Sequence, residues 1–438
     1  MPFSLPVFAA ATAALLACAS ACGQGFGVAT WNLAWLMDMP THARWAGACA
    51  SLGWPLNSAA LGAPARATLA GLPFCDVHNG MTFPRERCAS DRDGWPFRAR
   101  YPAAHPCRDS ADLADPAAYA HKLAVLRATF AQLDAAGVRL VAVQEVFDAA
   151  AVRALLPSGW SVATTRELAG TPDIPQHVGV AWRAPAHVRD VRAVTTLADS
   201  GAPDRPLRPG LAFTVDVGGT PVRALVVHLK SGCRSRDLDA PPAARDTALD
   251  AARQEAVLAD CAVLRYQLPA LEAWIDAQAH RNFAVLGDFN RTLLREPAAE
   301  SATYRTRLDG TTAADPLGTC TLERTGARAV ARCSTRTRAL FPEINDGAPP
   351  GAVLWRARPP KGAATCRLSS PRGNLAHNGI DHVLVSASLM SRLTPAALTL
   401  EVVNYHHDGA PAVQHDAALP SDHCPHVVMW TPRGGNAR

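Results

Sequence analysis

The sequence predicts an α/β fold in which two β-sheets pack face to face with helices outside them. Three observations point to it: recurring short apolar runs rich in β-branched residues, two longer stretches with helical spacing, and polar residues that end the strand-like runs. The strand-like runs are Phe26 to Trp31, Leu140 to Val143, Val178 to Trp182, Leu211 to Val217, Val222 to Val227, Phe283 to Leu286, Val383 to Val385 and Val427 to Trp430. Val217-Gly218-Gly219-Thr220 joins two of them as a hairpin turn.

The helical stretches follow the three- and four-residue rule. Tyr119, Leu123, Leu126, Phe130 and Leu133 form one stripe, with Gly137 as a stop. Val257, Cys261, Leu264, Leu268, Leu271 and Trp274 form the other, and Pro269 is expected to kink or split that helix. Two stretches lack such periodicity and are rich in Gly, Pro and Cys, from about residue 38 to 115 and from about 297 to 374. They read as disulfide-pinned loop insertions on one domain spanning residues 23–438, not as linkers.

The chain has 438 residues, 48% hydrophobic and 18% charged, which fits a globular protein with a sizeable core and excludes a disordered chain. Its net charge of +5 suits a polyanionic partner without reaching the strongly basic balance of a dedicated nucleic-acid binder. Residues 1–22 read as a signal peptide: no charge, an apolar run from Leu5 to Ala19, and small residues at Ala19 and Ala21. That run is short for a stable membrane span, so a secreted or periplasmic protein is expected. The alternative is a lipoprotein anchored in the cell envelope, since Leu15-Leu16-Ala17-Cys18 resembles a lipobox.

Ten of the twelve cysteines follow Cys22, and no two of those ten have the short spacing of a metal-binding pair. They read as disulfide staples of an oxidising compartment. Cys49, Cys75, Cys88 and Cys107 are expected to pair among themselves, Cys233 with Cys261, and Cys424 to remain a buried free thiol.

The chemistry lies at the strand ends. Asn32 follows the first run, Glu145 the second, His228 and Asp288 follow Val227 and Gly287, Asp381 precedes the seventh, and Asp422-His423 precedes the last. One carboxylate in such a place is commonly a turn residue or helix cap. Six positions of this kind in one chain point to a shared site, because desolvating several carboxylates and imidazoles is costly unless they share a cation or one another.

Trp31-Asn32, Gln144-Glu145, His228, Gly287-Asp288-Phe289-Asn290, Ile380-Asp381-His382 and Ser421-Asp422-His423 resemble, in order, the motifs of the endonuclease/exonuclease/phosphatase superfamily. The resemblance implies a four-layer α/β sandwich of two facing mixed sheets, with the site at one edge. It implies that Glu145, with Asn32 beside it and Asp422 adding a contact, holds Mg²⁺ or Mn²⁺, in keeping with oxygen ligands. It further implies that Asp288 orients or deprotonates the attacking water and that Asn290 holds a phosphate oxygen. His423, oriented by Asp381, would contact the phosphate or act as acid or base. His228 resembles the second histidine of pancreatic-type deoxyribonucleases and sphingomyelinases, a candidate proton donor to the leaving oxygen. Ala34 stands where some abasic-site endonucleases of the superfamily carry a second acidic ligand, which speaks against a repair role.

The expected function is a secreted, metal-dependent phosphodiesterase acting on DNA or RNA. The alternatives are a lipid or small-molecule phosphoesterase and a non-catalytic binding protein on the same fold. Lys230, Arg234 and Arg236 are placed to hold phosphates at the site mouth, or else form an ordinary solvated loop. His406, His407, Asp408 and His415 read as a solvated loop, and His42, His78 and His105 lack metal-ligand spacing.

Overall fold

A computed structural model describes residues 25–52, 67–69, 71–73, 75, 116–201, 206–233, 238, 251–296, 320–325, 328–333, 339–346, 349, 351–361, 367–370, 373–376, 379–403, 421 and 423–433. The expected signal peptide and lipobox lie outside these residues, as do Asp422, Arg234, Arg236, His78, His105, His415 and the His406-His407-Asp408 segment.

All eight expected runs are strands, and each is part of one of two six-stranded sheets. The first sheet has the order β15 (Glu401–Val402), β16 (His426–Trp430), β1 (Phe26–Leu36), β2 (Val138–Val146), β4 (His177–Trp182) and β3 (Ser161–Thr164). The second has the order β11 (Leu354–Arg356), β14 (Asp381–Ser386), β8 (Phe283–Asp288), β7 (Thr220–His228), β6 (Gly210–Val217) and β5 (Val188–Val194). β1 with β2 and β7 with β8 run parallel, while the remaining neighbours run antiparallel. Two small hairpins stand apart, β9 (Cys320–Thr325) with β10 (Arg328–Cys333) and β12 (Arg367–Ser370) with β13 (Gly373–Ala376).

The period-2 alternation of each strand sorts the apolar side chains into three layers. Val28, Leu140, Ala142 and Val180 meet Phe213, Val215, Ala224, Val226, Leu286 and Val383 between the sheets. Trp31, Leu33, Val141 and Val143 face away from that layer, towards Tyr119, Leu126 and Phe130 of the helix Pro116–Ala135. Ala212, Leu225, Val227 and Val285 face the helix Ala251–Asp276 through Leu264, Leu268 and Leu271. Helix, sheet, sheet and helix therefore form the expected four-layer sandwich.

Two details of the hairpins and strands follow from glycine. Gly218 and Gly219 both have positive φ (57° and 77°), as the tight β6–β7 turn requires. At Gly287 an added Cβ would lie 2.0 Å from Val227 O, so only glycine lets β7 and β8 approach there.

Several expectations are corrected. The helix Ala251–Asp276 runs through Pro269 without a break, because its inward stripe supplies more packing than one lost backbone bond removes. The stretch read as the first insertion carries the helix Met39–Ser51, N-capped by Asp38, which buries His42, Trp45 and Cys49. The second contributes β11 to the edge of the second sheet. Cys49–Cys75 and Cys233–Cys261 are disulfides, the second as expected. Cys424 is not a free thiol but is disulfide-bonded. Cys88 and Cys107 also lie outside them.

Candidate active site

The ends of β1, β2, β7 and β8, the start of β14 and the segment before β16 meet at one edge of the two sheets. Alternation alone aims His228, Asp288 and Asp381 between the sheets, two residues beyond the inward Val226 and Leu286 and two before Val383. Asp381 stands opposite Asp288 in the β14–β8 pairing, and Asp288 beside His228 in the parallel β8–β7 pairing.

Glu145 needs more than alternation. Val141 and Val143 face the helix layer, and a regular strand would send Glu145 after them. Instead Glu145 adopts a left-handed conformation (φ 55°) at a register shift between β2 and β4, and its carboxylate meets Asn32 on the inner side. Ala34, Trp35 and Asn290 are also left-handed, at 47°, 58° and 52°. Four of the five non-glycine positive-φ residues among those described thus gather at this edge, where backbone strain of about 1–3 kcal/mol each re-aims side chains.

The side chains form a continuous buried cluster. Asn32 Nδ2 donates to Glu145 Oε1 and to Asp288 Oδ2, both at 3.1 Å. His228 Nε2 lies 3.7 Å from Glu145 Oε1 and 3.6 Å from Asp288 Oδ2. His423 Nδ1 is 2.6 Å from Asp381 Oδ2, and its Nε2 is 3.7 Å from Asp288 Oδ2. Asn290 N–H donates to Asp288 Oδ1 at 2.7 Å. Every one of these residues except Asn290 is buried.

Two assignments differ in detail from the resemblance. Asn32 Oδ1 accepts the Ala34 N–H at 2.9 Å while its Nδ2 bridges the Glu145 and Asp288 carboxylates. Asn290 Nδ2 donates to Leu229 O at 2.9 Å and so ties the ends of β7 and β8 together. Lys230 turns from the site mouth to pair with Asp260 at 2.5 Å, next to the Cys233–Cys261 disulfide.

The electrostatics follow from burial. Asp288 is pushed up from 3.8 to about 7 by desolvation and by the Asp381 charge, against the opposing pull of His423. Burial also raises Asp381, but the His423 imidazole beside it outweighs this and holds the carboxyl below its ordinary range. Burial, then Arg208, His423 and Lys230, lower His228 well below the usual imidazole value, so it is neutral near pH 7.

Several supporting residues carried no obvious signal in the sequence. Arg208 donates to His228 O at 3.1 Å, to Leu229 O at 2.6 Å and to Gln176 Oε1 at 3.2 Å, fixing the end of β7. Ser421 Oγ donates to Asn32 O at 2.6 Å and accepts the His423 N–H at 3.0 Å, while Trp31 Nε1 donates to His423 O. His426 Nδ1 lies 3.0 Å from Asp381 O. Lys122, fully buried, donates to Ala34 O at the left-handed turn after Asn32. A single Arg or Ser inside an irregular stretch has no periodicity to mark it, although Ser421 stands within a quoted motif, and Lys122 is not one of the apolar residues that mark its helix. His42 is no ligand here: it is buried and stacks on Tyr119 with ring centroids 4.0 Å apart.

Asp288, Asp381 and His423 each offer a ligand atom within 4.8 Å of the others, and Glu145 joins them through Asn32. Asp381 Oδ1 is buried without a hydrogen-bond partner. Three buried carboxylates and a partnerless oxygen fit a hard divalent cation.

The sequence model of the endonuclease/exonuclease/phosphatase family matches residues 97–423. Solved structures similar to the chain include D. rerio TDP2 complexed with single-strand DNA product, at 12% identity and a TM-score of 0.39, covering 70% of this chain and 92% of that one. Another is ANGEL2, a 2′,3′-cyclic phosphatase, in complex with adenosine-2′,3′-vanadate, at 13% identity and a TM-score of 0.40, covering 76% and 90%. A third is a functionally unknown conserved protein from Enterococcus faecalis V583, at 13% identity and a TM-score of 0.33, covering 69% and 89%. No curated protein matches the sequence. The family match spans well over half of the chain and takes in Glu145, His228, Asp288, Asn290, Asp381 and His423, and the chain belongs to the endonuclease/exonuclease/phosphatase family of phosphoester hydrolases.

Proposed function

We propose that the protein is an exported, divalent-cation-dependent phosphodiesterase that hydrolyses DNA or RNA. The observation that carries this reading is the buried set Glu145, Asp288, Asp381, His228 and His423 at one sheet edge. Glu145 would hold Mg²⁺ or Mn²⁺, with the Asp288 carboxylate beside it. When bound, the cation neutralises charge on the phosphate and aligns it for in-line attack.

The chain's own residues supply the rest. Its place between Asn32, His228 and His423 suits the Asp288 carboxylate to accept the proton of the attacking water. Asp381 orients His423, whose Nε2 faces Asp288 and is placed to hold a phosphate oxygen. Neutral His228 offers an Nε2–H on the same side, as a hydrogen-bond donor to phosphate rather than an imidazolium acid. Arg208 and Asn290 share Leu229 O and keep that donor in place.

The net charge of +5 and the Arg208 guanidinium near Glu145 and Asp288 favour a polyanionic substrate. The exposed large apolar side chains among the described residues, Val353 and Trp355, lie at the β11 edge, level with Val385 and away from the catalytic end. They offer a lipid substrate no surface next to His228. The uncharged leader and disulfides support export.

The test is hydrolysis of plasmid DNA, RNA, sphingomyelin and bis-p-nitrophenyl phosphate by purified protein, with Mg²⁺ or with EDTA. Cation-dependent cleavage of nucleic acid is expected. Undiminished cleavage after exhaustive chelation overturns the cation requirement, and preference for sphingomyelin overturns the substrate. Glu145→Gln should raise the Mg²⁺ concentration needed, by about 10–100-fold, whereas Asp288→Asn should lower the maximal rate.

A further inference from the structure

Away from the catalytic edge, on the outer face of the second sheet, a buried arginine sits between two exposed ones. Arg223 is the fourth residue of β7 and points to the same side as Leu225 and Val227. It is 7% exposed, and its Nη1 donates to Thr214 Oγ1 at 2.9 Å and to Asp190 O at 3.3 Å, both neutral acceptors. Its Nε is buried with no hydrogen-bond partner.

The backbone brings the other two alongside. Arg223 N–H donates to Asn282 O, and Arg281 is the preceding residue. On β5 a bulge sets three residues against two of β6, from the pair Arg189–Thr214 to the pair Arg192–Ala212. Both arginines therefore share the outer face with Thr214 and Arg223. The Arg189 charge is answered by Asp216 at 2.6 Å and Asp190 at 3.8 Å. Among the described residues Arg192, Arg223 and Arg281 form no ion pair with a carboxylate, although the charges of Arg192, Asp190 and Arg281 act on Arg223, the first and last opposed by Asp190.

Burying a guanidinium whose hydrogen bonds go to neutral acceptors, with two like charges nearby and the nearest carboxylate, Asp190, shared with Arg189, is unfavourable unless a further anion joins it. We propose that Arg192, Arg223 and Arg281 form a second anion site for a phosphate-class oxyanion, separate from the catalytic edge. His228 lies five positions further along β7 than Arg223, about 16 Å at strand rise. Guanidinium groups match such an oxyanion through paired N–H donors.

The test uses the full chain in EDTA, labelled with ¹⁵N-arginine. The Arg223 Nε–H resonance, assigned by its loss in Arg223→Lys, is followed during titration with inorganic phosphate. It should shift saturably, whereas chloride at equal ionic strength should leave it in place. The double variant Arg192→Gln/Arg281→Gln removes only exposed charges, and it should need at least about tenfold more phosphate. A dinucleotide in a parallel titration distinguishes a phosphodiester ligand from free phosphate. An equal response to chloride, no response to either phosphate probe, or unchanged affinity in the double variant overturns the proposal.

Discussion

Replacing Asp288 by asparagine isolates the cost of placing that carboxylate in the site. Its pKa is raised from 3.8 to about 7 in the folded protein. Three units at about 1.36 kcal/mol each amount to about 4 kcal/mol. A raised folded-state value means that the contribution to stability is intact below pH 3.8 and is lost as pH rises through 7. Asparagine never ionises and escapes that loss. It keeps the Asn290 N–H bond to Oδ1 but turns an amide towards Asn32 Nδ2, at a cost of about 1 kcal/mol. In EDTA at pH 8, Asp288→Asn should therefore be about 3 kcal/mol more stable than the parent. At pH 4 it should be slightly less stable, and at both pH values it should be inactive. Urea unfolding followed by tryptophan fluorescence, at both pH values, measures the difference. An advantage that does not change with pH, or a variant less stable at pH 8, would refute the account of Asp288 as a destabilised carboxyl kept for chemistry.

Three further outcomes are expected. His228→Ala should slow hydrolysis of an alkyl phosphodiester and of a p-nitrophenyl ester alike, by about 10²-fold. A much smaller loss on the p-nitrophenyl ester would mean that His228 protonates the leaving oxygen after all. His177 and His382 are each lowered from 6.5 to about 4, chiefly by burial. Their contribution to stability is present above pH 6.5 and is lost as pH falls through 4, by up to about 3 kcal/mol each. His177→Gln should flatten the acid limb of an unfolding-versus-pH curve, and an unchanged limb would contradict this. Cys233→Ser/Cys261→Ser opens a loop with a sequence separation of 28 and should cost about 3–4 kcal/mol. A double variant as stable as the parent would show that Arg291, bonded to Cys233 O, already holds the loop.

The parts of the site that obey strand periodicity could be read from the sequence, and the parts that break it could not. His228, Asp288 and Asp381 continue the inward alternation of Val226, Leu286 and Val383, so their convergence is implicit in the apolar pattern. Glu145 departs from it, and only its left-handed backbone brings the carboxylate inward. The same limit explains Pro269, where a local rule gave way to the packing of a whole stripe. Cys233–Cys261 was legible because one residue follows a strand and the other lies on the inner stripe of the next helix. Cys424 offered no such neighbour, and its disulfide escaped notice. Lys230 looked like a phosphate contact because its partner Asp260 lies on a distant helix turn that only the fold brings near.

The order of strands in the first sheet bears on how the site comes into being. β1 lies between β2 and β16, and Asn32 O is held by Ser421 while Trp31 reaches His423. The chain therefore carries Asn32 near its beginning but cannot assemble the cluster until the segment before β16 has docked beside β1. Until β16 pairs with it, β1 keeps an unsatisfied edge. The candidate site is therefore complete only once that sheet has closed.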